Sequence, residues 1–233
     1  RPLNKVLNAL EKQLDRNFTD QEKVLIASVK SSLLTADLAG STLHKGRNDP
    51  TTWLSSLLSK ALSPPSLQKL INDKLGEHQP LDFQKRACDS NSRTILVEAG
   101  CGSGKTLAAY LWASKNVEGK RLFFCYPTTG TASEGFTGYI RDPALEGLLV
   151  HSRAQADYRL LQNMPDHLHE ENELRQTGLE ALETWPAPVI VCTAHTVLGM
   201  LENVRRGLYL WPSLVQSVFV FDEIHAFSER LFS

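Results

Sequence analysis

The sequence predicts an α/β fold in which a parallel sheet carries helices on both faces, preceded by an all-α segment. From about residue 81 onward, short apolar runs alternate with helix-like patterns. Two of these runs, Val189-Ile190-Val191-Cys192 and Val218-Phe219-Val220-Phe221, are apolar at every position. Strands buried on both faces have this composition, because helices cover both sides of the sheet. Residues 1–80, in contrast, show only helical periodicity.

The N-terminal segment, residues 1–80, predicts consecutive helices. The first is indicated by leucines at helical spacing, namely Leu3, Leu7, Leu10 and Leu14. A capping-box pattern, Thr19-x-x-Glu22, opens a second helix that we expect to end at Gly40. Another short helix is expected to run to about Gly76.

The C-terminal segment, residues 81–233, predicts five strands with helices in the intervals between them. These strands are expected near 94–98, 121–126, 147–151, 188–192 and 217–221. The interval 152–187 is long enough for two helices, or for one helix and a mobile loop.

Composition bounds the possible functions. The chain has 233 residues, 42% of them hydrophobic and 22% charged, as in an ordinary globular protein. Its formal net charge of −1 means that any nucleic-acid surface must be a local patch. The four cysteines lie far apart without C-x-x-C spacing, which predicts reduced thiols in the cytoplasm rather than a zinc site or disulfides. No apolar run is long enough to span a bilayer.

The most informative motif is the run Ala99-Gly100-Cys101-Gly102-Ser103-Gly104-Lys105-Thr106, between a strand-like and a helix-like pattern. Its glycines allow successive backbone N–H groups to turn toward phosphate oxygens. Lys105 can reach the β- and γ-phosphates of a nucleoside triphosphate, and the Thr106 hydroxyl can bind Mg²⁺. The alternative is a glycine-rich helix start with a surface lysine.

A second motif, Asp222-Glu223-Ile224-His225, directly follows the apolar run 218–221. Its carboxylates should emerge at the carboxyl end of a parallel strand, where ligands bind in open α/β sheets. We assign Asp222 to Mg²⁺ and Glu223 to the attacking water. His225 is predicted to couple the hydrolysis site to a partner domain or nucleic acid. The alternative is a histidine at a helix start with no role.

Gln84, within Leu81-Asp82-Phe83-Gln84, precedes the phosphate loop. Its amide could recognise both a donor and an acceptor on an adenine ring. A surface glutamine on an N-terminal helix is an equally open interpretation.

The order of motifs along residues 81–233 resembles the first RecA-like domain of superfamily 2 helicases, including the A-x-x-G-x-G-K-T form of the phosphate loop. The other matching motifs are Pro127-Thr128-Thr129, Thr193-Ala194-His195 and D-E-I-H. In that family the threonine motifs contact the backbone of single-stranded nucleic acid. The resemblance therefore implies this role for Thr128, Thr129 and Thr193, whose hydroxyls and N–H groups can bind phosphates. Ordinary helix caps are the alternative.

Within the superfamily, the chain is similar to the CRISPR-associated helicase-nuclease of type I systems. The similarity lies in three runs, 149–154, 188–198 and 220–227. The chain departs from that family at His195 and Thr196, where an acidic residue and a glutamine are more usual. The segment Ala36-Asp37-Leu38-Ala39-Gly40-Ser41 is similar to the end of the family's HD nuclease domain, with Asp37 in the place of a metal ligand. The resemblance thus implies that residues 1–80 are the end of such a domain and a linker, and a helical domain that only packs on the motor is the alternative.

This resemblance implies a prokaryotic cytoplasmic enzyme that uses ATP and Mg²⁺ and translocates on single-stranded DNA. Its implied partner is a CRISPR RNA-guided surveillance complex. A full HD domain would add a transition metal, but the chain has no His-Asp dipeptide, so we expect no nuclease activity from this chain. We expect it to be a piece of a longer protein that ends before the second RecA-like domain. The alternatives are another superfamily 2 DNA or RNA helicase, or an inactive RecA-like scaffold.

Overall fold

The structure is a computed structural model that describes residues 17–43, 55, 59–140, 145–151, 185, 187–201 and 205–227. In chain order its elements are α1 (Asp20–Leu43), α2 (Pro64–Leu75), α3 (Asp82–Asp89), α4 (Lys105–Asn116), β1 (Arg121–Tyr126), α5 (Thr129–Gly135), β2 (Gly147–Val150), β3 (Val189–Thr193), α6 (Ala194–Leu201), α7 (Arg205–Leu214) and β4 (Ser217–Phe221). A π-helical turn, Phe136–Ile140, extends α5. A 3₁₀ turn, Ile224–Ala226, follows β4. None of the described helices is both long and apolar enough to cross a bilayer.

The four strands among the described residues form one parallel sheet in the order β2-β3-β1-β4. β1 lies between β3 and β4, and all six of its residues are buried. Its register pairs Leu122 with Val189 on one side and with Val218 on the other. Parallel strands require crossover connections, and among the described residues α5 provides the one from β1 to β2 and α6 and α7 the one from β3 to β4.

Helices cover both faces of the sheet. Successive side chains of a strand point to opposite faces, so the apolar residues of β1 need a packing partner on each side. On one face, Phe124 packs in a cluster with Ile71 of α2 and Tyr110 of α4, and the Phe124 and Tyr110 ring centroids lie 5.0 Å apart. On the other face, Phe123 packs in a second cluster that includes Leu210 of α7. The predicted α/β fold is therefore confirmed.

The capping box predicted at the start of α1 is present. The Glu22 backbone N–H donates to Thr19 Oγ1 at 3.3 Å, and the Thr19 N–H donates to Glu22 Oε2 at 2.9 Å. The predicted end of this helix is wrong, since α1 continues past Gly40 to Leu43. A glycine inside a helix lowers helix stability by only about 1 kcal/mol relative to alanine, and the contacts of neighbouring residues can outweigh this loss. α1 packs against α7, where Trp211 Nε1 donates to Ser28 Oγ at 3.0 Å.

The strand predicted near 94–98 is not formed. Residues 95–98 lie outside the sheet, and the side chain of Leu96 is 70% exposed. β-branched and apolar residues favour a strand, but a strand also needs a neighbour to complete its hydrogen bonds. The other four predicted strands are confirmed to within one residue at each end. The helix predicted from Leu3, Leu7, Leu10 and Leu14 and most of the interval 152–187 lie outside the described residues.

The amino-terminal edge of the sheet is held by Arg121, the first residue of β1, which is 3% exposed. Its Nε donates to the Lys60 carbonyl at 3.0 Å. Its Nη1 donates to the Trp185 carbonyl at 3.1 Å and to Ser213 Oγ at 2.7 Å. Burial lowers the pKa of Arg121 to about 10, because the charged form loses hydration. These bonds join three separate segments to β1 at the end opposite the motifs.

Candidate nucleotide-binding site

The phosphate loop and the acidic motif meet at the carboxyl edge of the sheet, which we define as the side where all four parallel strands end. The Asp222 backbone N–H donates to the Cys125 carbonyl at 3.0 Å, so Asp222 lies beside the end of β1. The Thr106 hydroxyl, in the first turn of α4, donates to Asp222 Oδ2 at 3.3 Å. The structure therefore brings together two motifs that the sequence separates by 116 residues.

The loop needs glycine at two of its three glycine positions. Gly102 has a φ of 72° and Gly104 a φ of 86°, both in the left-handed region that side chains with a Cβ rarely adopt. Gly100 does not have a positive φ. Its carbonyl instead accepts two hydrogen bonds from Ser103, one from the backbone N–H at 3.3 Å and one from the hydroxyl at 2.7 Å. These bonds close the turn that leads into α4.

Lys105 folds back over the loop. Its Nζ donates to the Ala99 carbonyl at 2.9 Å and to the Gly100 carbonyl at 3.0 Å. These neutral carbonyls hold the ammonium group at the N-terminus of α4, where the helix dipole also favours an anion. A phosphate would compete for the same ammonium group with stronger, charge-assisted hydrogen bonds.

The acidic pair is held by local hydrogen bonds and an unusual backbone. Asp222 Oδ1 accepts the Glu223 N–H at 2.9 Å. Glu223 has a φ of 54° and a ψ of 43°, a left-handed conformation that costs a non-glycine residue about 1–3 kcal/mol. Its Oε2 lies 3.3 Å from Nε2 of His225, whose side chain is exposed. The predicted water-orienting carboxylate and the predicted coupling histidine are therefore in contact.

The donor set fits magnesium. Thr106 and Asp222 offer a hydroxyl and a carboxylate oxygen, the hard ligands that Mg²⁺ prefers. Among the described residues, no group of three or more His, Cys, Asp or Glu side chains could hold a metal ion by itself. Mg²⁺ is usually held by one or two protein ligands together with waters and substrate phosphates, so this sparse set is suitable.

Gln84 is buried against the phosphate loop, with an exposed fraction of 3%. Its Oε1 accepts the Leu81 N–H at 2.8 Å, and its Nε2 donates to the Gly104 carbonyl at 3.1 Å. The interpretation of Gln84 as a surface residue is therefore wrong. Recognition of adenine stays a prediction, and beyond these two bonds the amide keeps one N–H hydrogen and one lone pair that such recognition would use.

Replacing Gly104 with alanine is expected to weaken MgATP binding about tenfold. The new Cβ would lie 2.6 Å from Gln84 Nε2, at a φ that alanine rarely adopts. Strain of about 1–3 kcal/mol is relieved if the loop moves away from the conformation that turns its N–H groups toward the phosphates, and restoring that conformation on binding, at about 1.4 kcal/mol, corresponds to tenfold in affinity. Titration with a fluorescent ATP analogue measures the change.

The matched control is Gly119→Ala, because Gly119 has a φ of 68° and no atom lies within 4 Å of the place that a Cβ would take there. This control carries the backbone strain without the contact to Gln84. Equal nucleotide affinity in the two variants would contradict the prediction.

The threonines predicted to contact nucleic acid lie on the other half of the carboxyl edge, by which we mean the ends of β1 and β3. Thr128 caps α5, accepting the Thr131 N–H on its Oγ1 at 3.2 Å. Thr193 is 8% exposed, and its Oγ1 lies 2.7 Å from Thr196 Oγ1 at the start of α6. The register places Thr193 beside Tyr126, the last residue of β1. Thr193 Oγ1 also accepts the Thr196 N–H at 3.3 Å, so helix capping is present at both positions, and phosphate binding stays a prediction.

Asp37, the residue predicted to bind a transition metal, lies on α1. Its side chain is exposed, and its role as a metal ligand stays a prediction.

His151 and Ser133 form a pair at the carboxyl edge that the sequence did not predict, with Ser133 Oγ 3.0 Å from His151 Nε2. The available signal was that His151 is the last residue of the predicted strand 147–151, at the same edge as the motifs, and the observed strand ends one residue before it.

The parallel sheet, the glycine-rich loop and the acidic pair together define the class of P-loop nucleotide-binding proteins. The DEAD/DEAH box helicase family matches residues 82–233, and the chain belongs to this family. The resemblance drawn from the motifs is therefore confirmed.

Two relatives are described as CRISPR-associated nuclease/helicase Cas3. The protein from Myxococcus xanthus is 40% identical over 208 residues, which cover 89% of this chain and 28% of the relative. The protein from Methanocaldococcus jannaschii is 23% identical over 159 residues, covering 66% of this chain and 22% of the relative. The chain thus spans about a quarter of the length of these relatives. No solved structure gave a match.

Proposed function

We propose that residues 81–233 are the first RecA-like motor domain of a CRISPR-associated helicase that translocates on single-stranded DNA. In the full-length protein this motor would be coupled to DNA degradation. The observation that carries the proposal is the 3.3 Å contact between Thr106 Oγ1 and Asp222 Oδ2, which joins the two motifs needed for nucleotide hydrolysis. The names of the two relatives support the CRISPR context.

ATP is proposed to bind between the phosphate loop and the acidic pair. Backbone N–H groups at 102–106 would hold the β- and γ-phosphates, and Lys105 would leave its loop carbonyls to contact them. Thr106 and Asp222 would hold Mg²⁺, which neutralises charge on the phosphates when it is bound. Glu223 would orient a water in line with the γ-phosphate.

Single-stranded DNA is proposed to bind along the other half of the carboxyl edge, at Thr128, Thr129 and Thr193. Neither α5 nor α6 has an acidic residue in its first turn, so the partial positive charge of these helix starts is not neutralised there. Hydroxyl and N–H groups bind the DNA backbone without recognising bases. A translocating enzyme requires such sequence-independent contacts.

The remaining expectations concern the full-length protein. A second RecA-like domain would close the cleft, and a surveillance complex would deliver the DNA. Residues 1–80 would be the end of an HD nuclease domain and a linker, with Asp37 as one of several ligands of a transition metal. The prokaryotic origin of both relatives agrees with a CRISPR role in the prokaryotic cytoplasm.

We expect the chain alone to bind MgATP but to hydrolyse it at least about 10³-fold more slowly than the full-length protein. A second domain commonly supplies an arginine finger, whose effect in related phosphoryl transfer is about 10³–10⁵ in rate. Phosphate release by the chain and by the full-length protein, each with single-stranded DNA, measures the difference. Equal rates would show that the cleft is complete without a partner.

Two further assays separate the alternatives. Lys105→Ala in the full-length protein would leave function unchanged if the domain were an inactive scaffold. DNA degradation by the full-length protein with Mn²⁺, Ni²⁺ or Co²⁺ would be absent if it were a helicase of another branch of the superfamily.

A further inference from the structure

A hydrogen bond at the carboxyl edge joins α5 to the end of β2, and the nucleotide site does not use it. Ser133 Oγ lies 3.0 Å from His151 Nε2. Both side chains are half-buried, and the two residues are 18 positions apart in the chain. His151 directly follows Val150, which pairs with Cys192 in the sheet. His151 therefore lies level with Thr193, the neighbouring residue of β3.

The bond continues to one of the threonines that we propose to contact DNA. The Ser133 hydroxyl also donates to the Thr129 carbonyl at 3.1 Å, one helical turn earlier in α5. A hydroxyl has one hydrogen, so when it donates to Thr129 the His151 Nε2–H is the donor to Ser133. A continuous hydrogen-bonded path then runs from His151 through Ser133 to Thr129.

Other contacts that hold α5 include local hydrogen bonds and close packing, with Gly135 directly against the Tyr126 ring. The bonds between Thr128 and Thr131 lie within one turn, so they set the shape of the helix start and not its place. Ala132 and Phe136 pack into the core beneath the helix. Apolar contacts are not directional, whereas a hydrogen bond fixes both distance and angle. The bond to His151 is therefore suited to locate the helix start.

We propose that His151 is a positioning residue for polynucleotide binding, which holds Thr128 and Thr129 through Ser133 at the place where a phosphodiester backbone passes. This proposal rests on the proposed function, because it requires DNA to bind at this half of the edge. It assigns His151 no contact with nucleotide, since the phosphate loop and acidic pair lie on the β4 side of β1.

His151→Ala is expected to weaken binding of a fluorescent oligothymidine by up to about fivefold, because DNA would then have to fix the helix start that this bond, of about 1 kcal/mol, holds in place beforehand. Affinity for a fluorescent ATP analogue should not change. Ser133→Ala should have a similar effect, and the double variant should be little worse than either single one, because both remove the same bond. His151→Gln places an amide N–H near the position of Nε2, so it should restore most of the DNA affinity.

His78→Ala is the matched control, since His78 is an exposed histidine in the turn between α2 and α3. Unchanged DNA affinity in His151→Ala, or equal losses of DNA and ATP affinity in both His151→Ala and His151→Gln, would overturn the positioning role. If the unaltered chain bound no oligothymidine, the proposed function would fail first and this proposal with it. The two failures are distinguishable, because the first is seen without any substitution.

Discussion

Lys105→Ala is expected to reduce the affinity of the chain for MgATP by about 10- to 100-fold. Hydrogen bonds to charged groups contribute about 1.5–3 kcal/mol, and alanine removes the ammonium group that would contact the phosphates. The same substitution removes the bonds from Nζ to the Ala99 and Gly100 carbonyls. These bonds are on a partly exposed loop, so we expect little change in thermal stability. Titration with a fluorescent ATP analogue and a melting curve measure the two quantities.

Lys115→Ala provides the control for this prediction, because Lys115 is an exposed lysine on the same helix, α4. Its Nζ lies 3.0 Å from Asp89 Oδ1, and this hydrogen bond raises its pKa. Asp89 lies at the end of α3, away from the phosphate loop. Loss of nucleotide affinity in Lys115→Ala, or its retention in Lys105→Ala, would show that the phosphates do not bind at the start of α4.

Local sequence patterns predicted the elements whose cause is itself local. The runs 121–126 and 217–221 are strands at the predicted bounds, because their aromatic and β-branched residues favour strands. The capping box of Thr19 and Glu22 spans three residues, and its bonds form as expected. The phosphate loop likewise depends on a short run, in which two glycines adopt the left-handed backbone that the turn requires.

Features that depend on distant residues could not be predicted in the same way. The run 94–98 has strand-forming residues, but only a neighbouring strand could have completed its hydrogen bonds. Gln84 is buried because its amide meets the Gly104 carbonyl, 20 residues further along the chain. The bond of Ser133 with His151 depends on how α5 lies against the end of β2. Each of these partners is set by packing, which periodicity in one segment does not contain.

The strand order explains how one edge can hold two proposed sites. β1 lies between β3 and β4, so the segment that follows it, 127–129, lies between the acidic motif on one side and Thr193 on the other. The backbone bond from Asp222 to the Cys125 carbonyl ties the acidic motif directly to the end of this strand. In the proposed motor, a structural change at the nucleotide site would thus be transmitted to the proposed DNA-binding threonines through β1, a short strand whose residues are all buried.

Glu223→Gln is expected to slow ATP hydrolysis by about 10²–10⁴-fold while leaving MgATP affinity within about twofold, because an amide keeps the shape of the side chain but cannot act as a base. The left-handed backbone of Glu223 does not depend on the charge, and the substitution leaves the bond from its N–H to Asp222 in place. Single-turnover hydrolysis with the full-length protein in excess over labelled ATP measures the slow step. Glu118→Gln, in the exposed turn after α4, is the control. A hydrolysis rate unchanged by Glu223→Gln would show that this carboxylate has no part in the mechanism. A loss of ATP affinity would show that it acts in binding. Only a loss of rate without a loss of affinity supports its orienting a water.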